Sequence, residues 1–259
     1  MKKHNISSLE ELSEKSKTNL EWFWESVEKD IGIVWDTPYT KTLDTSNGIP
    51  WTKWFVDGKT NLYKSSVEKF TKQTPEKIAY NFISEDGIET KLSYFELNTK
   101  VSKLANVFKS LGVKKGDVIA IYLPMIEEAI VSILAAAKIG AVQTIVFSGY
   151  SSESLKTRLQ DCHAKILITS DGFHRKGKAI SQKTTVDNAV IDTDIEKIIV
   201  VSYKGIDKFE KSDKIQFYDE LILQQKDTCG TEIMNSEDPL FILYTSGTTG
   251  KPKGVVHTH

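Results

Sequence analysis

Apolar positions along this chain fall into two regimes. Up to about residue 60 they show little clear period; beyond it they repeat in the spacings of strands and helices. Leu62, Val67 and Phe70 predict a helix that ends before Pro75. Ile78–Ile83 and Ile88–Leu92 flank Asp86-Gly87 and read as a hairpin. Ser93 and Glu96 form a Ser-x-x-Glu capping box. After it, Leu97, Val101, Leu104, Phe108 and Leu111 recur at helical spacing until Gly112 ends the run.

A strand and helix alternation follows. Val118–Leu123 is continuously apolar, the pattern of a strand covered on both faces. Met125–Lys138 predicts a helix stopped by Gly140, and Ala141–Phe147 a second strand. Ser151 or Ser152 caps a helix carrying Leu155, Leu159 and Cys162, and Ile166–Thr169 is a third strand. Further strands are expected at Glu196–Ser202 and Leu240–Tyr244, with a short helix at Phe217–Gln225. This order predicts an α/β fold, mainly parallel sheet with flanking helices.

The first part of the chain changes that picture. All five tryptophans lie between Trp22 and Trp54, beside Pro38, Gly48 and Pro50. We read residues 1–60 as an irregular extension anchored by indole rings, with a Trp-lined ligand site as the alternative. Composition adds little more. Among 259 residues, 39% are hydrophobic and 27% charged, as in an ordinary soluble protein, and a net charge of −1 gives no field for nucleic acid or an anionic membrane. The N-terminus lacks the apolar core of a signal peptide, and the apolar run Ala129–Ala137 is too short to span a bilayer. Cys162 and Cys229 show no metal spacing and fit structural thiols in a reducing cytoplasm. His257 and His259 have no third ligand nearby, which favours strand or chain-end residues over a metal pair; His163 is expected at a helix end and His4 in a disordered segment.

The candidate chemistry concentrates in Tyr244-Thr-Ser-Gly-Thr-Thr-Gly-Lys-Pro-Lys-Gly254, which runs on from a buried strand. Glycines let backbone amides close around an anion, and the hydroxyls of Thr245, Ser246, Thr248 and Thr249 can donate to phosphate oxygens. Lys251 and Lys253 add positive charge. Too few residues separate Gly247 from Gly250 for a Walker A loop, and Pro252 prevents a helix from starting there. A second basic stretch, Gly172-Phe-His-Arg-Lys-Gly-Lys178, follows the third strand; it reads either as a site for a phosphorylated ligand or as a solvated loop. Phe147-Ser-Gly-Tyr150 ends another strand, and a direct role there stands beside a plain strand-to-helix turn.

The Tyr244–Gly254 stretch resembles the phosphate-binding signature of the AMP-forming, adenylate-forming ligases. Gly116-Asp-Val-Ile-Ala-Ile-Tyr-Leu-Pro-Met125 and Lys138-Ile-Gly-Ala141 look like the acyl-CoA synthetase branch, and Trp54-Phe-Val-Asp-Gly58 with Asn61-Leu62 like its acetyl-CoA synthetase group. The similarity spans residues from about 20 to 259. It implies two half-reactions: a carboxylate, acetate first, attacks the α-phosphate of ATP, and the thiol of coenzyme A then displaces AMP. Propionate or a short hydroxy acid is the alternative substrate, and a non-catalytic nucleotide- or coenzyme-A-binding module the alternative class. ATP, Mg²⁺ and coenzyme A are the implied cofactors. The resemblance places Thr245, Ser246, Gly247, Thr248, Thr249, Gly250 and Lys253 on the ATP phosphates, with Thr245 and Lys253 as the catalytic groups and Lys251 solvated. It places Arg175, Lys176, Gly177 and Lys178 on coenzyme A. Lys178 stands where the family has a second arginine, and Ser148 where it has a glycine. Residues 61–259 then make the first portion of the large domain, expected to be cut after the phosphate loop; as a fragment it is expected to catalyse neither half-reaction.

Overall fold

The computed structural model describes residues 2–85, 87–245 and 251–259. In chain order the elements are α1 (Leu9–Thr18), α2 (Leu20–Ile31), β1 (Trp35–Thr37), β2 (Lys41–Asp44), β3 (Lys53–Val56), β4 (Lys59–Thr60), α3 (Lys69–Gln73), β5 (Ile78–Ile83), β6 (Glu89–Ser93) and α4 (Tyr94–Ser110). They continue with β7 (Val118–Tyr122), α5 (Glu127–Lys138), β8 (Val142–Ile145), α6 (Ser152–Asp161), β9 (Ile166–Ser170), β10 (Gly172–Arg175), β11 (Lys178–Ser181), α7 (Lys183–Ala189) and β12 (Lys197–Val201). Last come β13 (Ile215–Phe217), α8 (Tyr218–Leu223), β14 (Met234–Asn235), β15 (Pro239–Thr245) and β16 (Lys253–Thr258). The chain divides into two compact units: residues 1–61 with 233–238 and 259, and residues 62–232 with 239–258.

The smaller unit corrects the expectation of an irregular extension. It carries two helices, α1 capped by Ser8 and α2 by Asn19, with Gly32 closing α2 in the left-handed conformation. α1 buries no residue; α2 fully buries only Glu28, while Phe23 and Val27, at helical spacing, are partly covered. The Glu28 carboxylate accepts the Trp35 indole N–H at 2.8 Å, which satisfies a half-buried polar edge. Trp35, Tyr39 and Phe55 pack ring on ring with centroids 5.0–5.6 Å apart, and Trp24 meets Trp54 edge on at 5.7 Å. His4, expected in a disordered segment, instead lies 2.9 Å from Asp30 and edge-on to Trp22.

The larger unit is built on a seven-stranded sheet in the order β13-β12-β9-β7-β8-β15-β16, parallel throughout except for β15 against β16. Its central strand shows why the run at 118–123 is wholly apolar. Ile119 and Ile121 face a core with Leu97, Leu104 and Phe108 of α4 and Val131 and Leu134 of α5. Ala120 and Tyr122, on the opposite face, join Leu155 and Leu159 of α6 and Val186 of α7. Alternate side chains point to opposite faces, so a strand with helices on both sides has no polar face left. The capping box that starts α4 is present in full, with the Glu96 carboxylate accepting the Ser93 amide at 2.8 Å.

Several boundaries differ from the sequence expectations. The helix read from Leu62 begins with a wide π turn at Lys64–Glu68 before α3. The helix expected at Phe217–Gln225 is shorter, because Phe217 belongs to β13, which pairs with β12. Asp86 of the β5–β6 turn lies outside the described residues.

Candidate functional site

The parallel strands β12, β9, β7, β8 and β15 all point their C-terminal ends to one edge of the sheet. The chain leaves β7 for β8 on one side and returns for β9 on the other. Such a switch point opens a crevice beyond the strand ends, where α/β proteins bind ligands.

At one side of this edge, β15 and β16 form a hairpin. Thr245, the last residue of β15, pairs across from Lys253, the first of β16, and the Thr245 Oγ1 lies 3.5 Å from the Lys253 carbonyl. Ser246, Gly247, Thr248, Thr249 and Gly250 lie outside the described residues. Lys251 is exposed. The strand leading in is held by Tyr244, whose hydroxyl donates to Asp161 at 2.6 Å. Burial, and next that bond to the carboxylate, push the Tyr244 phenol well above its ordinary range, so it stays protonated as a donor. Arg158 is buried between two rings, 4.6 Å from that of Tyr150 and 5.4 Å from that of Tyr244, and donates to the Ser154 carbonyl at 2.6 Å. It thereby joins the end of β15 to the turn that follows β8.

That turn, Phe147-Ser-Gly-Tyr150, is pinned by Tyr122, whose hydroxyl lies 2.9 Å from both the Ser148 and Tyr150 carbonyls. A methyl group on Gly149 would sit 2.6 Å from the Phe147 ring and 3.2 Å from Nη1 of Arg175. The basic stretch therefore reaches the turn, with the Arg175 guanidinium 5.8 Å from the Phe147 ring.

The basic stretch, expected from the sequence to be a loop, is instead a two-stranded hairpin, β10 against β11. Lys176 and Gly177 both take positive φ, 52° and 72°, as the tight turn between twisted strands requires. Arg175 and Lys178 stand directly opposite one another in the pairing, and residues 174–180 are exposed. Like charges opposed across strands repel, so the arrangement suits a site that takes up an anion. The base of the hairpin is anchored: Gly172 and Phe173 are buried, Ser170 hydrogen-bonds Gln182, and Gln182 donates to the Tyr122 carbonyl at 3.3 Å. Beside it, Asp171 accepts the backbone amides of Tyr203, Lys204 and Gly205 at 3.1, 3.3 and 2.6 Å, fixing the loop after β12.

Between the hairpin and that loop opens a cleft of about 620 Å³, lined among others by Glu85, Met125, Phe173, His174, Gly177 and Tyr203. Sequence reasoning missed Met125, Phe173 and Tyr203. A usable signal was present for Met125, which follows Pro124 at a strand's C-terminal end and is 90% exposed; Tyr203 is brought in by the Asp171 contacts and by packing against the core. Counting strand spacings of about 4.8 Å, the β15–β16 hairpin and the hairpin after β9 stand three strands, roughly 15 Å, apart on one edge, with the 147–150 turn between them.

Residues 67–259 match the AMP-binding enzyme family, and residues 9–65 match the acetyl-coenzyme A synthetase N-terminus. The chain belongs to the AMP-binding enzyme family. Acetyl-coenzyme A synthetase of Methanothrix thermoacetophila is 43% identical over 262 residues, covering 100% of this chain and 39% of the relative. The enzyme of the same name from Streptomyces avermitilis is 41% identical, covering 98% of this chain and 39% of its own. Acetoacetyl-CoA synthetase from Streptomyces lividans shares the fold with a TM-score of 0.89 at 27% identity, over 98% of this chain and 38% of that one. This AMP-binding chain therefore spans about two fifths of the length of the relatives it matches. Among its described residues no helix is long and apolar enough to cross a membrane.

Proposed function

We propose that this chain supplies the front part of a ligase that activates acetate with ATP and passes the acetyl group to coenzyme A. Residues 1–60 form its N-terminal extension and 61–259 the first portion of its AMP-binding domain. The observation that carries the reading is the placement of two cationic hairpins, Thr245–Lys253 and Arg175–Lys178, on one C-terminal edge of a parallel sheet. ATP enters with its Mg²⁺ as substrate. A carboxylate oxygen of acetate attacks the α-phosphorus, the bond to the β-phosphate oxygen breaks, and pyrophosphate leaves with the electron pair. Thr245 and Lys253, at the two ends of the loop, donate to the charge that gathers on the leaving group, together with Ser246, Gly247, Thr248, Thr249 and Gly250. A preorganised donor of this kind is worth about 3 kcal/mol, or roughly 10²-fold in rate. Coenzyme A follows, its phosphate groups on Arg175, Lys176, Gly177 and Lys178, and its thiol displaces AMP from the acetyl carbon. Lys178 offers a point charge where a guanidinium would offer a fork, so its hold on a phosphate is less directional.

The test joins residues 1–259 to the remaining part of a full-length relative and measures acetate-dependent pyrophosphate release. Release that falls about 10²-fold in Lys253→Ala supports the reading; the absence of acetate-dependent release overturns it. Running propionate and a short hydroxy acid in parallel separates the alternative substrates. A non-catalytic binding module would instead bind coenzyme A or MgATP as the isolated chain while the joined enzyme stays inactive.

A further inference from the structure

At the end of α5, where the chain turns into the start of β8, the last helical residue is a buried lysine. Lys138 is 3% exposed, and its Nζ sits 4.0 Å over the ring of fully buried Tyr63. It donates to Thr231 Oγ1 at 3.1 Å; Thr231 in turn donates to Glu68 at 3.0 Å, and Glu68 accepts from Lys72 at 2.8 Å. Lys138, Thr231, Glu68 and Lys72, with Asn98 and Cys229, line a cavity of about 350 Å³. Water occupies about 30 Å³ per molecule in the liquid, so the cavity has room for a ligand of several heavy atoms.

A surface lysine has no reason for this setting: burial of an ammonium is costly unless it is paired. What the setting does provide is an amine beside an apolar ring, and a hydroxyl–carboxylate chain that can move its proton. We propose that Lys138 is a Schiff-base site for a small carbonyl compound, an aldehyde or 2-oxo acid, that enters this cavity. The Lys138 nitrogen attacks the carbonyl carbon, and the C=O electron pair moves to oxygen, which takes up a proton. The resulting carbinolamine loses water as Thr231 and Glu68 exchange protons with it, leaving the imine; amine plus carbonyl gives imine plus water, with no oxidant or reductant. The proposal is independent of the ligase reading, since none of its residues belongs to that machinery.

The chemistry needs a neutral amine at ordinary pH, and the surroundings favour one. Burial brings the Lys138 amine down to about 8; Glu68 and Cys229 oppose this and Lys109 and Lys72 reinforce it. An amine at 8 is about a tenth neutral at pH 7, whereas an ordinary lysine at about 10.4 is neutral in well under a thousandth of molecules.

The experiment treats the chain with glyoxylate and sodium cyanoborohydride, which traps an imine as a stable secondary amine, and follows each lysine by peptide mass spectrometry. At pH 7 Lys138 is expected to be labelled at least about tenfold faster than the exposed Lys208 and Lys226 in the same sample. That preference should vanish in concentrated urea. Thr231→Val, with its fold checked by thermal melting, should slow Lys138 labelling while leaving Lys208 and Lys226 unchanged. Labelling of Lys138 no faster than the exposed lysines, a preference that survives urea, or an unchanged rate in Thr231→Val overturns the proposal.

Discussion

Replacing Lys138 by methionine tests the energetics of that buried amine without any ligand. Methionine keeps most of the volume and removes the charge. The ordinary value of 10.5 falls to about 8 in the folded chain, chiefly through burial. A gap of about 2.5 pH units at 1.36 kcal/mol each corresponds to about 3 kcal/mol, an upper figure because the surrounding cavity admits some solvent. Below pH 8 the ammonium is charged in both folded and unfolded chains, so the whole penalty acts. Between about 8 and 10.5 the folded chain has released its proton while the unfolded chain still holds one, and stability rises with pH. The methionine variant carries no such penalty. In urea melts it should exceed the parent by up to about 3 kcal/mol at pH 7, and the advantage should shrink steadily toward pH 10. Tyr218 and Tyr244, whose phenols are raised chiefly by burial away from Lys138, destabilise both proteins alike at high pH and cancel in the difference. Parallel stability curves from pH 7 to 10 would refute the assignment of a desolvated ammonium to this site.

Other expectations follow from particular contacts. A methyl group on Gly172 would stand 2.5 Å from the Ile180 carbonyl oxygen and 2.9 Å from the Ile206 side chain, so Gly172→Ala should cost about 1–3 kcal/mol of overpacking and lower Tm by several degrees in a thermal scan. Ser93→Ala removes one half of the α4 capping box and should cost about 1 kcal/mol in urea unfolding, with Glu96 left without its hydroxyl donor. In the full-length joined enzyme, Arg175→Gln should raise the KM for coenzyme A several-fold at low salt and leave the KM for ATP unchanged; equal effects on both would refute a separate coenzyme A site. Phe108→Ala, at a fully buried position of the α4 core, should cost about 3–5 kcal/mol by the same unfolding measurement.

The features that could be read directly from sequence are those set by neighbours along the chain. The cap at Ser93 and Glu96, the stop at Gly112 and the two-faced apolar strand at 118–122 depend on residues a few positions apart, and each is present. The basic hairpin was harder. Its strands are four residues each, its tip is charged, and one of its two turn residues is Lys176 rather than a residue that favours positive φ. The N-terminal helices were missed for a different reason: α1 buries no residue, and in α2 the helical spacing of Leu20, Phe23, Val27 and Ile31 is obscured by Trp22 and Trp24 beside it, with Asn19 and Gly32 marking the ends. The sharpest loss was at the cleft, where Tyr203 is placed by a carboxylate more than thirty residues away, a contact no local pattern encodes.

The two cationic hairpins are rooted on strands three positions apart in the sheet, so their anchor points are separated by whole inter-strand steps. A sheet is a ruler with one graduation, and its ladder bonds leave no half-steps. Loops at this edge can lengthen, shorten or change their residues, yet the anchor points stay put. A descendant adapting to a longer or shorter ligand would have to bridge the difference with side chains and loop tips, since the β-scaffold itself offers only another full strand or none.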